Sequence, residues 1–398
     1  MALALSSCVT SNPMPPIPKI LPPQKQQTLP TTEGVPLCPR YLWTPHTLPN
    51  AHTIIIGASG SGKTQTLKGL LFELNHWRPD LTLLVIDFHG DQKLPGERTF
   101  PLHLSSQWGI NPLEINLDPT AGGPNIQAIT IAAELRKALR LGPNQEGVLL
   151  RTLKQLYDAH GLNKDWKATP PTFHDLEQAL IAQEAAGCKE SAKILLKLQI
   201  TFEFRIFSRQ SIPITTGINR VDLSSLPQEI AVIAANALIA QQMNRHRIAG
   251  ESPLKTFIAV DEAKKLPQSS ACDLVMREGR KYGIHLMLAS QSDRHLSEDV
   301  LANSSTKIVL PVDPSEVNRV AKTFRFDPNR LAKLKQFEAL VRMGTSAFQT
   351  RITPFFERIN PQPLLPKIDH CTSQRNIEQL MRSPQYLEVL KNLKELRA

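Results

Sequence analysis

A glycine-rich segment directly behind a short apolar run offers the clearest chemistry in this sequence. It follows Thr53–Ile56 and fits the pattern G-x-x-x-x-G-K-[ST]. Glycines at this spacing let the backbone turn tightly, so that successive amide groups point at phosphate oxygens, and the next helix adds the positive end of its dipole. We expect eight residues to bind the phosphates of ATP: Gly57, Ala58, Ser59, Gly60, Ser61, Gly62, Lys63 and Thr64.

Two members of this loop have side chains with their own chemistry. Lys63 would reach the β- and γ-phosphates, and the Thr64 hydroxyl would take a place on Mg²⁺. A plain glycine-rich turn before an ordinary helix is the alternative. We disfavour it because the strand, the spacing and the helical stretch occur in the order that a phosphate-binding loop needs.

Two carboxylates end a second apolar run, since Phe257–Val260 is followed by Asp261 and Glu262. Beside a phosphate-binding loop, we expect Asp261 to hold Mg²⁺ through its water shell. Glu262 would then orient and polarise the water that attacks the γ-phosphate. Acids at the end of an apolar strand can also simply cap the next helix, so the pair gains meaning only from the loop.

Polar side chains also follow two other apolar runs. Gln291 follows Ile284–Ser290, where its amide would bridge the γ-phosphate and the attacking water, unless it is an ordinary solvated loop residue. Asp87 closes another run and precedes Phe88-His89-Gly90-Asp91. The carboxyl ends of parallel strands share one sheet edge, so Asp87 would support the site from behind. His89 lacks nearby Cys or His partners, which argues against a metal site there.

Continuous apolar runs that alternate with helical stretches predict the elements that position these residues. Such runs are typical of parallel sheets covered on both faces. We therefore predict an α/β fold with a doubly wound, mostly parallel central sheet. Besides Thr53–Ile56, its predicted strands are Leu81–Asp87, Gly217–Leu223, Thr256–Asp261, Ile284–Ser290, Lys307–Val312, Ala339–Met343 and Phe348–Ile352.

The chain divides into an arm, a domain with an insertion, and a tail. Eleven prolines fall within residues 1–50, which predicts a disordered or polyproline-like arm. Residues 51–366 form the predicted nucleotide-binding domain. Strand signals stop between residues 121 and 208; this block is too long for one crossover, and we interpret it as an all-helical insertion rather than crossover helices of the sheet. Residues 367–398 are predicted to form a helical tail.

Composition limits the setting. The net charge of +10 and the pI near 9.4 favour a polyanionic partner such as nucleic acid, although composition alone is weak support. Five scattered cysteines without a C-x-x-C pair suggest neither a disulfide framework nor a zinc site, and a reducing cytoplasm is the expected location. No apolar run reaches the roughly 18 residues of a membrane span, and no secretory signal is expected.

Four segments together resemble the HerA/FtsK branch of P-loop ATPases, which includes DNA pumps, conjugative coupling proteins and type IV secretion ATPases. They are residues 57–64, Val85–Asp91, Val260–Ala263 and Arg277–Gln291. The second is similar to the D-x-H-G-E run of HerA-like proteins, with Asp91 in the Glu place. The last, a G-R-K-Y-G turn leading into a strand that ends in S-Q, is the most specific. The resemblance implies a RecA-like P-loop NTPase fold for residues 51–366.

The family's behaviour suggests further expectations. Its members form hexameric rings with ATP between subunits and drive double-stranded DNA or a protein through the pore. The position that matches their trans-acting arginine is Arg280, which would neutralise charge developing on a neighbouring subunit's γ-phosphate. An ordinary surface arginine at a helix end is the alternative. The resemblance also favours a functional role for Gln291.

The features that specify cargo in the family are not recognisable. The sequence shows neither the β-barrel of HerA proteins nor the membrane helices of coupling proteins, and Phe337 stands where relatives often have Gly. A basic run between Arg319 and Lys335 would contact DNA phosphates or form a solvated helix face. We favour an ATP-driven translocase of duplex DNA. A motor acting on protein, and a nucleotide-gated regulatory or defence module whose insertion binds an accessory protein, stay open.

Overall fold

The apolar runs of the sequence form the centre of a sheet in the computed structural model, which describes residues 34–266 and 269–360. In chain order the strands are β1 (Val35–Cys38), β2 (Tyr41–Trp43), β3 (Thr53–Ile56), β4 (Thr82–Asp87), β5 (Arg98–Pro101), β6 (Trp108–Gly109), β7 (Gln210–Ser211), β8 (Gly217–Asp222), β9 (Thr256–Val260), β10 (Ile284–Ser290), β11 (Thr306–Val309), β12 (Glu338–Met343) and β13 (Ser346–Arg351).

The helices lie between these strands and cover the sheet. They are α1 (Lys63–Trp77), α2 (Pro124–Leu139), α3 (Pro143–Ala159), α4 (Phe173–Ala185), α5 (Lys189–Phe204), α6 (Gln228–Ala249), α7 (Ser270–Glu278), α8 (Glu298–Asn303), α9 (Val317–Phe324), α10 (Pro328–Ala332) and α11 (Phe355–Ile359). Within the described ranges, none of these helices combines the length and the apolar character that crossing a bilayer requires.

Nine strands form one sheet in the order β13-β12-β11-β3-β10-β9-β4-β8-β5. Only β12 in this sheet runs against the others. The central strand β3 is buried along its whole length, with Ile56 opposite Ser290 on one side and Val309 on the other. Side chains from alternate positions enter two separate apolar cores, one on each face. The predicted α/β fold with a mostly parallel, RecA-like sheet is confirmed.

The helices α2 to α5 occupy the stretch interpreted as an insertion, and no sheet strand interrupts them. Asp175 accepts a hydrogen bond from the Thr172 backbone N–H (2.7 Å), which caps the start of α4. Two helices, α4 and α5, follow this cap. Gly187 has φ of +91° and breaks the chain direction between them.

The predicted disordered arm is wrong for residues 34–50, where β1 and β2 form an antiparallel hairpin. The side chain of Trp43 is fully buried, and its indole nitrogen donates to the Thr306 hydroxyl at 3.0 Å. The Thr353 backbone N–H donates to the Leu37 carbonyl at 3.0 Å. This hairpin is therefore part of the domain. Residues 1–33 and the tail predicted over residues 367–398 lie outside the described residues.

One arginine ties the hairpin to the rest of the domain. The side chain of Arg358, on α11, is only 4% exposed. It donates to the carbonyls of Pro36 (2.8 Å) and Leu37 (3.0 Å) and pairs with Glu73 of α1 (2.8 Å). A Cβ atom at Gly69 would lie 2.8 Å from the Arg358 Nε, so a glycine lets the guanidinium approach α1 closely.

Replacing this guanidinium should therefore loosen the hairpin. We expect Arg358→Met to lower the free energy of unfolding by about 3 kcal/mol, because three carbonyls (Pro36, Leu37 and Thr353) and a half-buried carboxylate lose their donor. Denaturant titration gives that free energy, and amide hydrogen exchange over residues 35–43 should accelerate. Arg78→Met is the matched control, because Arg78 pairs with Asp80 at the surface and its loss should change stability by less than about 1 kcal/mol. Equal stability of the two variants would contradict the assigned contact.

Candidate active site

The glycine-rich loop lies at the carboxyl edge of the sheet and is held by both neighbours of β3. The Gly57 N–H donates to the Ser290 carbonyl at the end of β10 (3.3 Å), and the Ala58 N–H donates to the Pro311 carbonyl beyond β11 (2.8 Å). The loop therefore begins in a fixed position at the point where the parallel strands end.

The loop has the shape of a phosphate cradle. Gly60 and Gly62 have φ of +75° and +109°, conformations that residues with side chains rarely adopt. The Lys63 ammonium is buried at the start of α1 and donates to the Ala58 carbonyl across the loop at 3.0 Å. Burial lowers the pKa of Lys63, while the carboxylates of Asp261 and Glu262 oppose that shift. An anion bound in the cradle would stabilise the charged form of Lys63, which burial disfavours.

Oxygen ligands suited to Mg²⁺ meet beside this cradle. The Thr64 hydroxyl donates to one carboxylate oxygen of Asp261 at 2.7 Å. The Gln92 side-chain amide donates to the same oxygen, also at 2.7 Å. Asp261 is 7% exposed, and burial raises its pKa, while the Thr64 hydroxyl opposes the shift. A hydroxyl and a carboxylate next to a phosphate cradle fit the oxygen donors that Mg²⁺ prefers.

Glu262 directly follows Asp261, and its backbone conformation is unusual. Its φ of +71° is left-handed, a conformation that costs a residue with a side chain roughly 1 kcal/mol or more. One carboxylate oxygen accepts a hydrogen bond from the Gln291 amide (3.2 Å) and pairs with the Lys264 ammonium (2.9 Å). The structure therefore brings together the two polar side chains that the sequence placed at the ends of β9 and β10.

A histidine approaches the same carboxylate from a third strand. His89, on the loop after β4, has its Nε2 atom 3.8 Å from the second oxygen of Glu262. In the described parts of the chain, no cluster of three or more His, Cys, Asp or Glu side chains is arranged to hold a metal. His89 thus lies at the rim of the Glu262 site.

Asp87 shapes the loop that carries His89. Its carboxylate accepts hydrogen bonds from the backbone N–H groups of His89 (3.0 Å), Gly90 (2.8 Å) and Gln92 (3.0 Å). It also pairs with the buried Arg220 at 3.0 Å, whose guanidinium contacts two further carboxylates, Glu97 and Asp222. Asp87 is therefore a support for the site, as its position at a strand end predicts.

Gln92 is the residue that the sequence reasoning missed. Its side chain is fully buried and joins the loop after β4 to Asp261, although 169 positions separate the two in the chain. Asp91, which stands in the Glu place of the family run, also accepts a hydrogen bond from the Gln92 amide (3.1 Å). The only sequence signal was that Gln92 directly follows the His-Gly-Asp run.

Arg280 lies away from these residues. It belongs to the 3-10 turn Gly279–Tyr282 that precedes β10, whereas Gln291 follows that strand. Seven residues of β-strand span roughly 20 Å, so Arg280 is at the opposite edge of the sheet. Its side chain is exposed, and no hydrogen bond or ion pair of it is present in the described part of the chain.

The basic run after β11 is partly engaged within the protein. Arg319 contacts Asp293 and Glu316. The side chains of Lys322, Lys333 and Lys335 are exposed. Arg325 and Arg330 are exposed as well, so every member of the run except Arg319 faces solvent.

Sequence comparison places this architecture among known proteins. A family model described as "Helicase HerA, central domain" matches residues 45–242, about half of the chain. The DNA double-strand break repair helicase HerA of Sulfolobus acidocaldarius is 28% identical over 312 residues, which cover 68% of this chain and 57% of that protein. The DNA import protein CedB of the same organism is 26% identical over 271 residues, covering 64% of this chain and 42% of its own. The chain thus spans about half the length of these relatives.

Solved structures show the same fold. VirB4 of Thermoanaerobacter pseudethanolicus aligns with a TM-score of 0.65 at 18% identity, over 77% of this chain and 90% of its own. The plasmid coupling protein TrwB, in complex with ADP and Mg²⁺, aligns with a TM-score of 0.53 at 15% identity, over 76% and 85%. These solved structures share the fold, and the family model together with the HerA relatives identifies the chain as a HerA/FtsK-type P-loop ATPase.

Proposed function

We propose that this chain is an ATP-hydrolysing motor that forms a ring and translocates double-stranded DNA, a proposal supported by its similarity to relatives named for DNA repair and DNA import. One observation carries the hydrolytic part of the proposal. The Thr64 hydroxyl and the Asp261 carboxylate, 197 positions apart in the chain, are 2.7 Å apart at the mouth of the phosphate cradle. Two side chains that would share a Mg²⁺ ion are thus assembled beside the lysine that contacts phosphate.

The residues divide the hydrolytic reaction among them. The loop N–H groups and Lys63 would hold the β- and γ-phosphates, the lysine exchanging its bond to Ala58 for one to phosphate. Bound Mg²⁺ supplies positive charge that neutralises the phosphate oxygens. Glu262 would accept a hydrogen bond from the attacking water and orient it in line with the γ-phosphate. Gln291, hydrogen-bonded to Glu262, would connect that water to the end of β10.

The position of Arg280 favours a ring. An arginine at the opposite sheet edge cannot reach the cradle of its own subunit, but it is exposed and available to a neighbour. A cation that arrives from the next subunit would stabilise charge on the transferring phosphoryl group. This arrangement couples hydrolysis to assembly, with a hexamer as the proposed ring.

Charge supports DNA as the partner. The net charge is +10, and exposed Lys322, Lys333 and Lys335 lie in the run after β11. Contacts between lysines and phosphates release counterions, so that binding weakens steeply as salt rises. The named activities of the HerA and CedB relatives concern DNA, which supports this partner over a protein substrate.

The direct test is ATP turnover with and without duplex DNA across a salt series. We expect DNA to stimulate turnover severalfold at low salt and the stimulation to fall as salt rises. Glu262→Gln should still bind Mg-ATP but lose at least about 100-fold in turnover, within the range seen for removal of a general base. Glu203→Gln, an exposed glutamate on α5, is the matched control. Normal turnover in Glu262→Gln would refute its role, and a protein-stimulated but DNA-insensitive ATPase would refute the DNA substrate.

Mixing two inactive variants tests the ring. Arg280→Ala keeps an intact cradle, whereas Lys63→Ala keeps an intact Arg280, so mixed assemblies should regain part of the turnover that each variant lacks alone. Arg277→Ala, which removes a neighbouring exposed arginine paired with Asp299, should stay active by itself. If no mixing ratio restores turnover although mass measurement shows mixed assemblies, the trans role of Arg280 is wrong.

Gln92 offers a test of the metal site. We expect Gln92→Leu to lower the affinity of the ATP-bound protein for Mg²⁺ about tenfold. Asp261 loses a donor that fixes its carboxylate, and hydrogen bonds to charged groups contribute about 1.5–3 kcal/mol. Nucleotide affinity in EDTA should not change. Calorimetric titration of Mg²⁺ into the protein with ATP measures this, with exposed Gln199→Leu as the control. An unchanged Mg²⁺ titration would show that Gln92 does not contribute to Mg²⁺ binding.

A further inference from the structure

We propose that a corner formed by Phe337, Phe356 and Gln65 binds the purine base of the nucleotide. This base corner, as we call it, lies beside the phosphate loop, and the proposal rests on the proposed function that this loop binds ATP. Nothing in the family comparison assigns these residues.

The location follows from the direction in which a nucleotide must lie. Glu262 and Gln291 mark the γ-phosphate end, because they would hold the attacking water. The base must therefore leave the cradle at its other end, near the start of α1. Gln65 directly follows Thr64 there, and its side-chain oxygen accepts a hydrogen bond from the Phe356 backbone N–H at 3.3 Å. This contact brings α11 to the place where the base emerges.

Phe337 is fixed against the loop itself. Its backbone N–H donates to the Ser61 carbonyl at 3.2 Å, and the neighbouring Gln336 amide donates to the Gly60 carbonyl at 2.9 Å. The ring lies on Gly62 so closely that a Cβ atom there would be 2.5 Å from the Phe337 Cδ1. The phenylalanine is thus the wall of the cradle on this side.

Phe337 holds this position in a strained conformation. Its φ of +66° is left-handed, which suits glycine far better than a residue with a bulky side chain. Strained residues that persist tend to be found at functional sites. The strain and the contact with Gly62 together indicate that the ring itself is used, rather than only the turn.

Phe356 completes the corner. Its ring centroid lies 5.9 Å from that of Phe337 with an angle of 69° between the planes, so the two rings form adjacent walls. Phe356 is 47% exposed in the described part of the chain. The Arg351 guanidinium, which pairs with Glu357 at 2.9 Å, lies over the Phe337 ring, 5.9 Å from the ring centroid. The exposed ring of Phe356, next to a phosphate cradle, offers a face that suits a flat heterocycle.

The test compares nucleotides with and without a base. Calorimetry or equilibrium dialysis would measure the affinity of Mg-ATP and of Mg-tripolyphosphate for the wild type, Phe356→Ala and Phe337→Gly. We expect both variants to bind Mg-ATP about tenfold more weakly, within the range measured for loss of one aromatic stacking partner. Affinity for Mg-tripolyphosphate, which has no base to stack, should not change. The wild type should also bind ATP and GTP more tightly than CTP and UTP.

Controls separate this proposal from the one it rests on. Phe204→Ala, which removes a partly buried ring from α5 of the insertion, should leave both affinities unchanged. A wild type that binds neither Mg-ATP nor Mg-tripolyphosphate would overturn the proposed function itself. Equal Mg-ATP affinity of wild type and Phe356→Ala, with tripolyphosphate binding intact, would overturn the base corner alone. If a folded variant lost affinity equally for Mg-ATP and Mg-tripolyphosphate, the rings would instead maintain the shape of the phosphate loop and would not stack on the base.

Discussion

The carboxylate of Asp261 is the contact on which the rest of the site depends. It accepts hydrogen bonds from the Thr64 hydroxyl, the Gln92 amide and the backbone N–H of Glu262. These donors come from the phosphate loop, the loop after β4 and the turn after β9. Burying a carboxylate is costly unless it is well hydrogen-bonded. These donors offset the cost of burying the Asp261 carboxylate. The same hydrogen bonds bring the polar residues of three strand ends into one site.

A second layer of charge supports this arrangement from below. Arg220 is surrounded by Asp87, Glu97 and Asp222, and Asp87 in turn folds the loop that carries Gln92. A mutation at Arg220 would thus affect Asp261 without touching any group that meets nucleotide. The hairpin at residues 35–43 has a comparable structural role on the other face, where Arg358 joins it to α1.

The central part of this fold was accessible from sequence for a physical reason. Parallel strands covered on both faces consist of continuous apolar runs, so β3, β4, β9 and β10 and the polar residues at their ends could be predicted. The hairpin β1–β2 escaped because prolines such as Pro36 and Pro39 outweighed the apolar positions between them.

Long-range contacts account for what sequence reasoning could not supply. Gln92 has no distinctive neighbours, and its meaning comes only from folding against Asp261. The left-handed backbone of Phe337 and its contact with Gly62 are likewise properties of the folded chain. The roles of Lys63, Glu262, Gln291 and Arg280 remain hypotheses that their positions support.

The left-handed backbone of Glu262 has a consequence for how this position can change. Glycine would adopt φ of +71° with little strain, a gain of about 1 kcal/mol for the backbone, but it has no carboxylate to direct a water molecule. Backbone stability thus favours glycine at position 262, whereas orienting a water molecule requires the glutamate. A lineage that no longer needed hydrolysis would be free to drift toward glycine here, and its fold would gain stability from the change.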